Sequence, residues 1–314
     1  MTVPSSLWIN HPQHKPVLYK EIIHALQPTS SGCYIDGTVG AGGHARGVLE
    51  ACAPAGRLLG MDLDPQALAL ARETLAPYGK RVVLVQASFI SLPEAMREIG
   101  WELVDGILLD LGVSSMQLDT PERGFSIQKE APLDMRFNGS SGLSAAQLIN
   151  SLAETDLAEI LFRYGEEPRA KRLAKMIVQA RPIATTTQLA EIAKRAYPGH
   201  SRVHPATRTF QAFRIAVNDE LASLENVLPK AAAALRQGGR LAVISFHSLE
   251  DRIVKDFIRE ESKDKTNPPY EQLYEVERKA SLKEINRKPI TPDEPEIKDN
   301  PRARSAKLRV AEKL

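Results

Sequence analysis

Cysteine is scarce in this chain, and long apolar runs are missing. Only two of the 314 residues are cysteine, Cys33 and Cys52, and neither belongs to a Cys-x-x-Cys pair. We therefore expect neither a disulfide framework nor a metal site. No apolar stretch approaches the length of a membrane span, and the first residues lack the basic and apolar regions of a signal peptide. These absences predict a cytoplasmic location.

The charges are distributed unevenly along the chain. Hydrophobic residues make up 43% of it and charged residues 25%, so it can bury a full core with length left for a second domain. The net charge is only +2, yet residues 163–208 carry ten Lys or Arg against three acids, and residues 278–314 carry eleven against six. Solvated helix faces are the ordinary explanation of such clusters. Two of them on an otherwise acidic protein favour a polyanionic partner, and we favour nucleic acid.

Three apolar runs end in an acidic residue. They are Tyr34-Ile-Asp36, which leads into the glycine-rich segment Gly-Thr-Val-Gly-Ala-Gly-Gly-His44, then Leu58-Leu-Gly-Met-Asp62, and Gly106-Ile-Leu-Leu-Asp110. Parallel strands of an open α/β sheet bring such ends together along one crevice. The pattern predicts a Rossmann-like sheet with a nucleotide-type cofactor site.

The acid before the glycine turn indicates the kind of cofactor. Gly40, Gly42 and Gly43 fit a loose glycine-rich form that many dinucleotide enzymes share, so they decide little. Asp36 would repel a pyrophosphate at the helix N-terminus, but it would attract ammonium and sulfonium charges. S-adenosylmethionine carries both charges and no phosphate. A nicotinamide dehydrogenase remains as the alternative.

Two later residues complete the predicted cofactor site. Asp62 lies 22 residues past Gly40, where a Rossmann-like unit places the acceptor for ribose hydroxyls. Asp64 precedes Pro65 and is interpreted as a helix N-cap instead. Phe89 follows a third apolar run and would either cover an adenine face or pack in the core.

The alternation of strands and helices breaks after residue 113. From Ser114 to about Arg202 no strand-like run occurs, and a long helix is predicted from Pro205 to about Leu228. We therefore assign residues 1–113 and 216–314 to the cofactor-binding domain, and residues 114–215 to an inserted all-α substrate-recognition domain. Gly165 is interpreted as a helix stop. The final run, Ala306-Lys-Leu-Arg-Val-Ala-Glu-Lys-Leu314, suits a closing antiparallel strand that pairs with the run near residues 283–290 and completes seven strands.

One motif is interpreted as a decoy. Asn267-Pro-Pro-Tyr270 matches the signature with which many amino-methylating enzymes hold an exocyclic amine. It follows the fifth predicted strand instead of the fourth, so a linker is the better interpretation. The position that should carry the signature is occupied by Asp110-Leu-Gly-Val113.

Several long motifs together resemble one family. They are Tyr34–His44, Asp105–Ser115, Glu122-Arg-Gly-Phe-Ser126, Pro132-Leu-Asp-Met-Arg136, His204–Gln211, Ile244–Arg252 and Asn300–Ser305. In this order they are similar to the bacterial RsmH (MraW) family of 16S ribosomal RNA (cytosine-N4)-methyltransferases, from His14 to near the C-terminus.

The resemblance implies both the reaction and a set of site residues. It implies a class I methyltransferase sheet, S-adenosylmethionine as cofactor, and methylation at N4 of a decoding-centre (P-site) cytosine of 16S rRNA in the 30S subunit. The family's donor contacts fall on Gly42, Gly43, His44, Asp62, Phe89, Asp110 and Gln117. A non-catalytic ribosome-assembly factor stays open as an alternative function. Whether the protein forms a homodimer also stays open.

The chemistry of amine methylation and of phosphate binding then indicates the catalytic and RNA-binding candidates. An exocyclic amine needs positioning and a hydrogen-bond acceptor, for which Asp110 is well placed, without a metal. Ser245 or His247 could also face the base, although Ser248 and Asp251 form a capping-box pattern there. Arg202, Arg208 and Arg214 are the candidates for phosphate contacts.

Overall fold

The computed structural model describes residues 16–197, 204–264 and 278–314. It divides into two compact units. The first comprises the described residues up to Gly112 together with Ala222–Leu314, and the second is Val113–Leu221. Arg202 and the Asn267-Pro-Pro-Tyr270 motif lie outside the described residues.

The first unit is built on a seven-stranded sheet. The strands are β1 (Cys33–Asp36), β2 (Arg57–Asp62), β3 (Val82–Gln86), β4 (Val104–Asp110), β5 (Leu235–Ser245), β6 (Leu282–Glu284) and β7 (Lys307–Lys313). Their order is β3-β2-β1-β4-β5-β7-β6. The first five pair in parallel, and β7 is antiparallel to both of its neighbours. The predicted fold, a Rossmann-like sheet of seven strands with an antiparallel last strand, is confirmed.

Helices make up most of the remaining structure. They are α1 (Tyr19–Leu26), α2 (Gly43–Ala51), α3 (Pro65–Leu75), α4 (Leu92–Glu98), α5 (Ser115–Asp119), α6 (Ala145–Ser151), α7 (Glu154–Gly165), α8 (Ala170–Gln179), α9 (Thr186–Arg195), α10 (Ala206–Asn218), α11 (Glu220–Ala234), α12 (Ser248–Glu261) and α13 (Glu294–Asp299). Among the described residues, no helix combines the length and apolar character needed to cross a bilayer.

Both faces of the sheet are covered, which explains the continuous apolar runs in the sequence. Ile35 and Ile107 point into a core with α4, α11 and α12. Their chain neighbours Tyr34 and Leu108 point into a second core with α1, α2 and α3. Because successive strand residues face opposite sides, a strand buried on both sides must be apolar throughout.

The start of α3 agrees with its sequence signal. Asp64 is 1% exposed, and its Oδ1 accepts a hydrogen bond from the Gln66 backbone N–H at 3.0 Å. Pro65 occupies the first turn of the helix. The interpretation of Asp64 as an N-cap is confirmed.

The second unit is helical and has its own core. Leu157, Leu161, Leu173, Ile177 and Phe213 are fully buried in it. Its helices α7 and α10 pack closely because Gly165 lacks a side chain: a Cβ there would lie 2.7 Å from the Arg208 carbonyl oxygen.

Two local predictions in this region need correction. α7 ends at Gly165 as predicted, but the left-handed residue that terminates the helix is the C-cap Glu166, with φ 47°, and not the glycine. The predicted long helix from residue 205 to about 228 is two helices, because Asp219 is left-handed at φ 50° and separates α10 from α11. A positive φ at a non-glycine residue leaves little signal in a sequence.

Candidate functional site

Three carboxylates end three adjacent strands of the first unit. Asp36, Asp62 and Asp110 are the last residues of β1, β2 and β4. β1 lies between the other two, with Asp36 in register with Gly60 of β2 and Leu108 of β4. The carboxyl ends of parallel strands form the usual ligand crevice of such a sheet.

A tight glycine turn connects β1 to α2 beside these acids. Gly40 and Gly42 have positive φ angles of 52° and 87°, conformations that favour glycine. The Gly40 N–H donates to Asp62 Oδ2 at 2.9 Å. A Cβ on Gly43 would lie 2.5 Å from Pro16 Cγ, so the chain before α1 passes close to the start of α2.

Asp62 is held by backbone groups on both of its oxygens. Oδ1 accepts from the Asp64 N–H at 2.9 Å, and Oδ2 accepts from Gly40. Each carboxylate oxygen has two lone pairs, so capacity for further donors remains. Burial raises the pKa of Asp62 above its ordinary value.

Asp36 is the most deeply buried of the three acids. It is 2% exposed, and its Oδ1 accepts a hydrogen bond from the Thr38 N–H at 3.2 Å. Burial, with the nearby Asp62 adding repulsion, raises the pKa of Asp36 to about 7. The carboxyl is therefore poised to ionise when a positive charge arrives.

Asp110 combines a fixed backbone with an unsatisfied side chain. Its N–H donates to Thr38 Oγ1 at 2.6 Å. Oδ2 lies 3.4 Å from His44 Nδ1, while Oδ1 is buried with no hydrogen-bond partner in the described part of the chain. Burial first, and then repulsion by Asp36 and Glu250, raise the pKa of Asp110 well above its ordinary value.

The electrostatics of this crevice select the charge of its ligand. All three strand-end carboxyls have raised pKa values, since each is at least partly buried and each is repelled by a neighbouring acid. A cationic ligand relieves that repulsion, whereas a pyrophosphate would add to it. The residues therefore fit S-adenosylmethionine.

Phe89 begins the short 3₁₀ helix Phe89–Ser91 that follows β3. A Cβ on Gly37 would lie 3.2 Å from Phe89 Cβ, so the aromatic residue borders the glycine turn. It also packs against the core beneath the sheet. The predicted core packing is therefore observed, and a role of Phe89 in covering an adenine face stays a prediction.

The comparison with known families agrees with this geometry. The model of the MraW methylase family matches residues 11–314. The chain belongs to the MraW methylase family. It is therefore an S-adenosylmethionine-dependent methylase, and this membership decides against the dehydrogenase alternative.

Relatives match over nearly their whole length. The "Ribosomal RNA small subunit methyltransferase H" of Heliobacterium mobile is 52% identical over 308 residues, covering 96% of this methylase and 99% of that protein. The protein of the same name from Geotalea uraniireducens (strain Rf4) is 53% identical over 307 residues, covering 96% and 98%. A solved "putative rRNA-methylase" from Clostridium thermocellum aligns with TM-score 0.43 at 12% identity, covering 96% of this chain and 99% of that one.

Ser245 and His247 follow β5 of the methylase. Ser245 is 2% exposed, and its hydroxyl donates to the Lys307 carbonyl at 3.4 Å. His247, rather than the predicted Ser248, is the N-cap of α12. Its side chain accepts from the Glu250 backbone N–H, and the Glu250 side chain accepts from the His247 backbone N–H, which completes the capping box. Both side chains therefore have structural partners, and their catalytic roles stay predictions.

The remaining predicted residues belong to the helical unit of the methylase. Gln117 is buried and completes a capping box with Ser114 at the start of α5. Arg208 is exposed on α10. Arg214 instead donates twice to Glu220, at 2.8 Å for each bond. Their roles in donor or RNA binding stay predictions.

Sequence reasoning missed three residues of the methylase crevice. Thr38 accepts from the Asp110 backbone, Glu250 adds negative charge near Asp110, and the Val17 carbonyl lies 2.9 Å from His44 Nε2. Thr38 lies within the glycine-turn motif and could have been found there. A backbone carbonyl from a distant segment carries no residue-type signal at all.

Proposed function

We propose that this methylase transfers a methyl group to the exocyclic N4 amine of a decoding-centre (P-site) cytosine of 16S rRNA, in the small (30S) subunit. The observation that carries the proposal is the buried, unpartnered Oδ1 of Asp110 at the end of β4. A buried acceptor without a donor is costly to the fold, so a bound amine is a reasonable occupant.

The substrate amine explains why one acceptor is enough. The N4 lone pair of cytosine is delocalised into the ring, so the enzyme must orient the amine and accept a hydrogen bond from it. When bound, S-adenosylmethionine supplies an electrophilic methyl group on a sulfonium. Asp110 Oδ1 then accepts from the amino group and takes its proton.

The other crevice residues hold the donor. Asp36, whose pKa is raised to about 7, gains a counter-charge from the cationic donor. Asp62 keeps lone pairs for ribose hydroxyls, and Phe89 offers a ring for the adenine. Gly42 and Gly43 let the backbone approach the donor closely, and Gln117 is proposed as a further donor contact.

The RNA substrate rests on the relatives and on charge. The relatives are named as ribosomal RNA small subunit methyltransferases. Residues 163–208, with ten Lys or Arg against three acids, fall within the helical unit. We propose that this unit binds 16S rRNA, with Arg208 among its phosphate contacts and Arg202 a further candidate. Cytosine N4 and the 30S context come from the family resemblance.

The decisive experiment measures the product itself. Purified 30S subunits that lack the modification are incubated with tritiated S-adenosylmethionine, and the nucleosides are identified by mass spectrometry. We expect N4-methylcytidine from wild type and at least a 100-fold slower reaction from Asp110→Ala.

A matched control removes one exposed acid from the same unit. Asp256→Ala deletes a side chain that is 59% exposed on α12, and we expect wild-type turnover. Normal turnover by Asp110→Ala, or a methylated base other than cytosine, would overturn the proposal.

Family membership also bears on the remaining alternatives. Membership of a methylase family decides for an enzyme and against a non-catalytic assembly factor. A cytoplasmic location and a homodimer remain predictions.

A further inference from the structure

One contact ties the first turn of α2 to the end of β4. His44 is 6% exposed, and its Nδ1 lies 3.4 Å from Asp110 Oδ2. On the other side of the ring, Nε2 lies 2.9 Å from the Val17 carbonyl oxygen. A carbonyl oxygen only accepts, so Nε2 must carry a hydrogen. The backbone of the segment before α1 therefore fixes the tautomer of His44.

The fixed tautomer restricts what Nδ1 can do. If His44 is neutral, Nδ1 has no hydrogen and can face Asp110 only by accepting from a protonated carboxyl. If His44 is an imidazolium, Nδ1 donates to the carboxylate. Both states hold a single proton between Nδ1 and Oδ2, and the pair is neutral overall.

The surroundings of the pair favour that single proton. Asp36 on β1 and Glu250 on α12 both repel an ionised Asp110. Glu250 is itself accompanied by His247, whose Nε2 lies 3.1 Å from Glu250 Oε1. The Tyr19 ring of α1 stacks on His44 at a centroid distance of 6.5 Å. Full loss of the proton would leave several acids around one partly buried carboxylate.

We propose that His44 is the positioning residue of Asp110: it shares one proton with Oδ2 and, as the imidazolium, keeps the carboxylate ionised so that Oδ1 can accept the amino proton. This inference rests on the proposed role of Asp110. It assigns His44 a proton-holding task in addition to its predicted place in the donor site.

The proton step balances without any further reactant. The N4–H bond breaks and its electron pair stays on N4, while the proton moves to Asp110 Oδ1. His44 keeps the hydrogens on Nδ1 and Nε2. The pair then carries one positive charge, which it discards by releasing a proton to water after the product leaves.

Without His44, Asp110 could not act as a proton acceptor. Burial, Asp36 and Glu250 already raise the pKa of Asp110 well above its ordinary value. With no imidazolium opposite Oδ2, Asp110 would keep its own proton at neutral pH and could not take another. The inference therefore predicts a change in the pH profile as well as in the rate.

Two variants of His44 separate this task from donor binding. The amide nitrogen of His44→Asn falls near the Nδ1 position, so it can still donate to Asp110. That of His44→Gln falls near the Nε2 position, so it can donate only to Val17. We expect kcat to fall at least tenfold more in His44→Gln than in His44→Asn.

The pH profile of kcat provides the discriminating measurement. An opposite charge within a few ångströms typically lowers a carboxyl pKa by about 1 to 3 units, so the acid limb of His44→Gln should move to higher pH by that amount. Binding of S-adenosylhomocysteine, measured by calorimetry, checks that both variants are folded. Equal losses in both variants with an unmoved acid limb would overturn the inference and leave the proposed function intact.

A second measurement needs no turnover. In the free protein labelled with ¹⁵N-histidine, the His44 signals, assigned by their loss in His44→Gln, should show Nε2 protonated throughout the titration. The Nδ1 proton should be lost at lower pH in Asp110→Asn than in wild type. Identical Nδ1 titration in both proteins would contradict proton sharing, even if methyl transfer proves to be absent.

Discussion

At the scale of single residues, the buried acid of the crevice lowers the stability of the fold at neutral pH and favours binding of a cationic donor. Asp36 is 2% exposed, and its pKa is raised to about 7 mainly by burial. An acid whose pKa is raised on folding stabilises the native state fully below its ordinary pKa near 4, and that contribution is lost as the pH rises through 7. The free enzyme is thus strained at the pH where it must attract a cationic donor.

Replacing this acid should stabilise the protein. We expect Asp36→Asn to raise the free energy of unfolding at pH 8 by up to about 4 kcal/mol, and to change it little at pH 4, where both side chains are neutral. Urea denaturation at the two pH values measures the effect. Asp256→Asn, at an exposed position, is the matched control and should gain nothing. A gain of equal size at both pH values would show that ionisation is not its cause.

At the scale of elements, the N-cap position of His247 on α12 allows its structural role to be tested separately from a catalytic one. His247 caps the helix together with Glu250. We expect His247→Ala to lose about 1 kcal/mol of stability, and His247→Asn to retain it, because Asn is a strong N-cap. If His247 is only a cap, methyl transfer by His247→Asn stays near the wild-type rate. A stable but inactive His247→Asn would instead establish a need for the imidazole.

The crossing of α7 and α10 depends on the absence of one side chain. A Cβ at Gly165 would lie 2.7 Å from the Arg208 carbonyl oxygen, a backbone atom that cannot swing aside. We expect Gly165→Ala to destabilise the helical unit by about 1 to 3 kcal/mol. Gly139→Ala, where a Cβ meets nothing within 4 Å, is the control. Equal unfolding midpoints for the two variants would contradict the packing argument.

At the scale of the whole molecule, two basic residues of the helical unit differ in their surroundings. Arg208 is exposed, whereas Arg214 forms two hydrogen bonds with Glu220. We expect Arg208→Ala to weaken binding to 30S subunits and to reduce the slope of log K against log salt by about 0.7 to 0.9. Arg214→Ala should lower thermal stability because its two hydrogen bonds to Glu220 are lost, and an unchanged slope in this variant would remove Arg214 from the predicted phosphate contacts. Binding titrations at several salt concentrations test both, and an unchanged slope in Arg208→Ala would remove it from the phosphate contacts.

Sequence predicted the sheet and its acids because each rests on a local pattern. Apolar runs ending in Asp36, Asp62 and Asp110 are visible in the chain, as is the proline-marked cap at Asp64. The ends of helices were harder to predict, because Asp219 adopts a positive φ although it is not a glycine. The His44 environment could not be predicted, because the Val17 carbonyl and the Asp110 side chain meet it only through tertiary packing.

The place of the helical unit in the chain has a consequence for folding kinetics. β4 and β5 are paired neighbours in the sheet, yet the whole of Val113–Leu221 separates them in sequence. Joining two strands across a long unstructured loop is entropically slow, while helical segments form quickly from local contacts. Early collapse of that intervening segment would shorten the effective loop, so mutations that delay its collapse should slow refolding of the sheet itself.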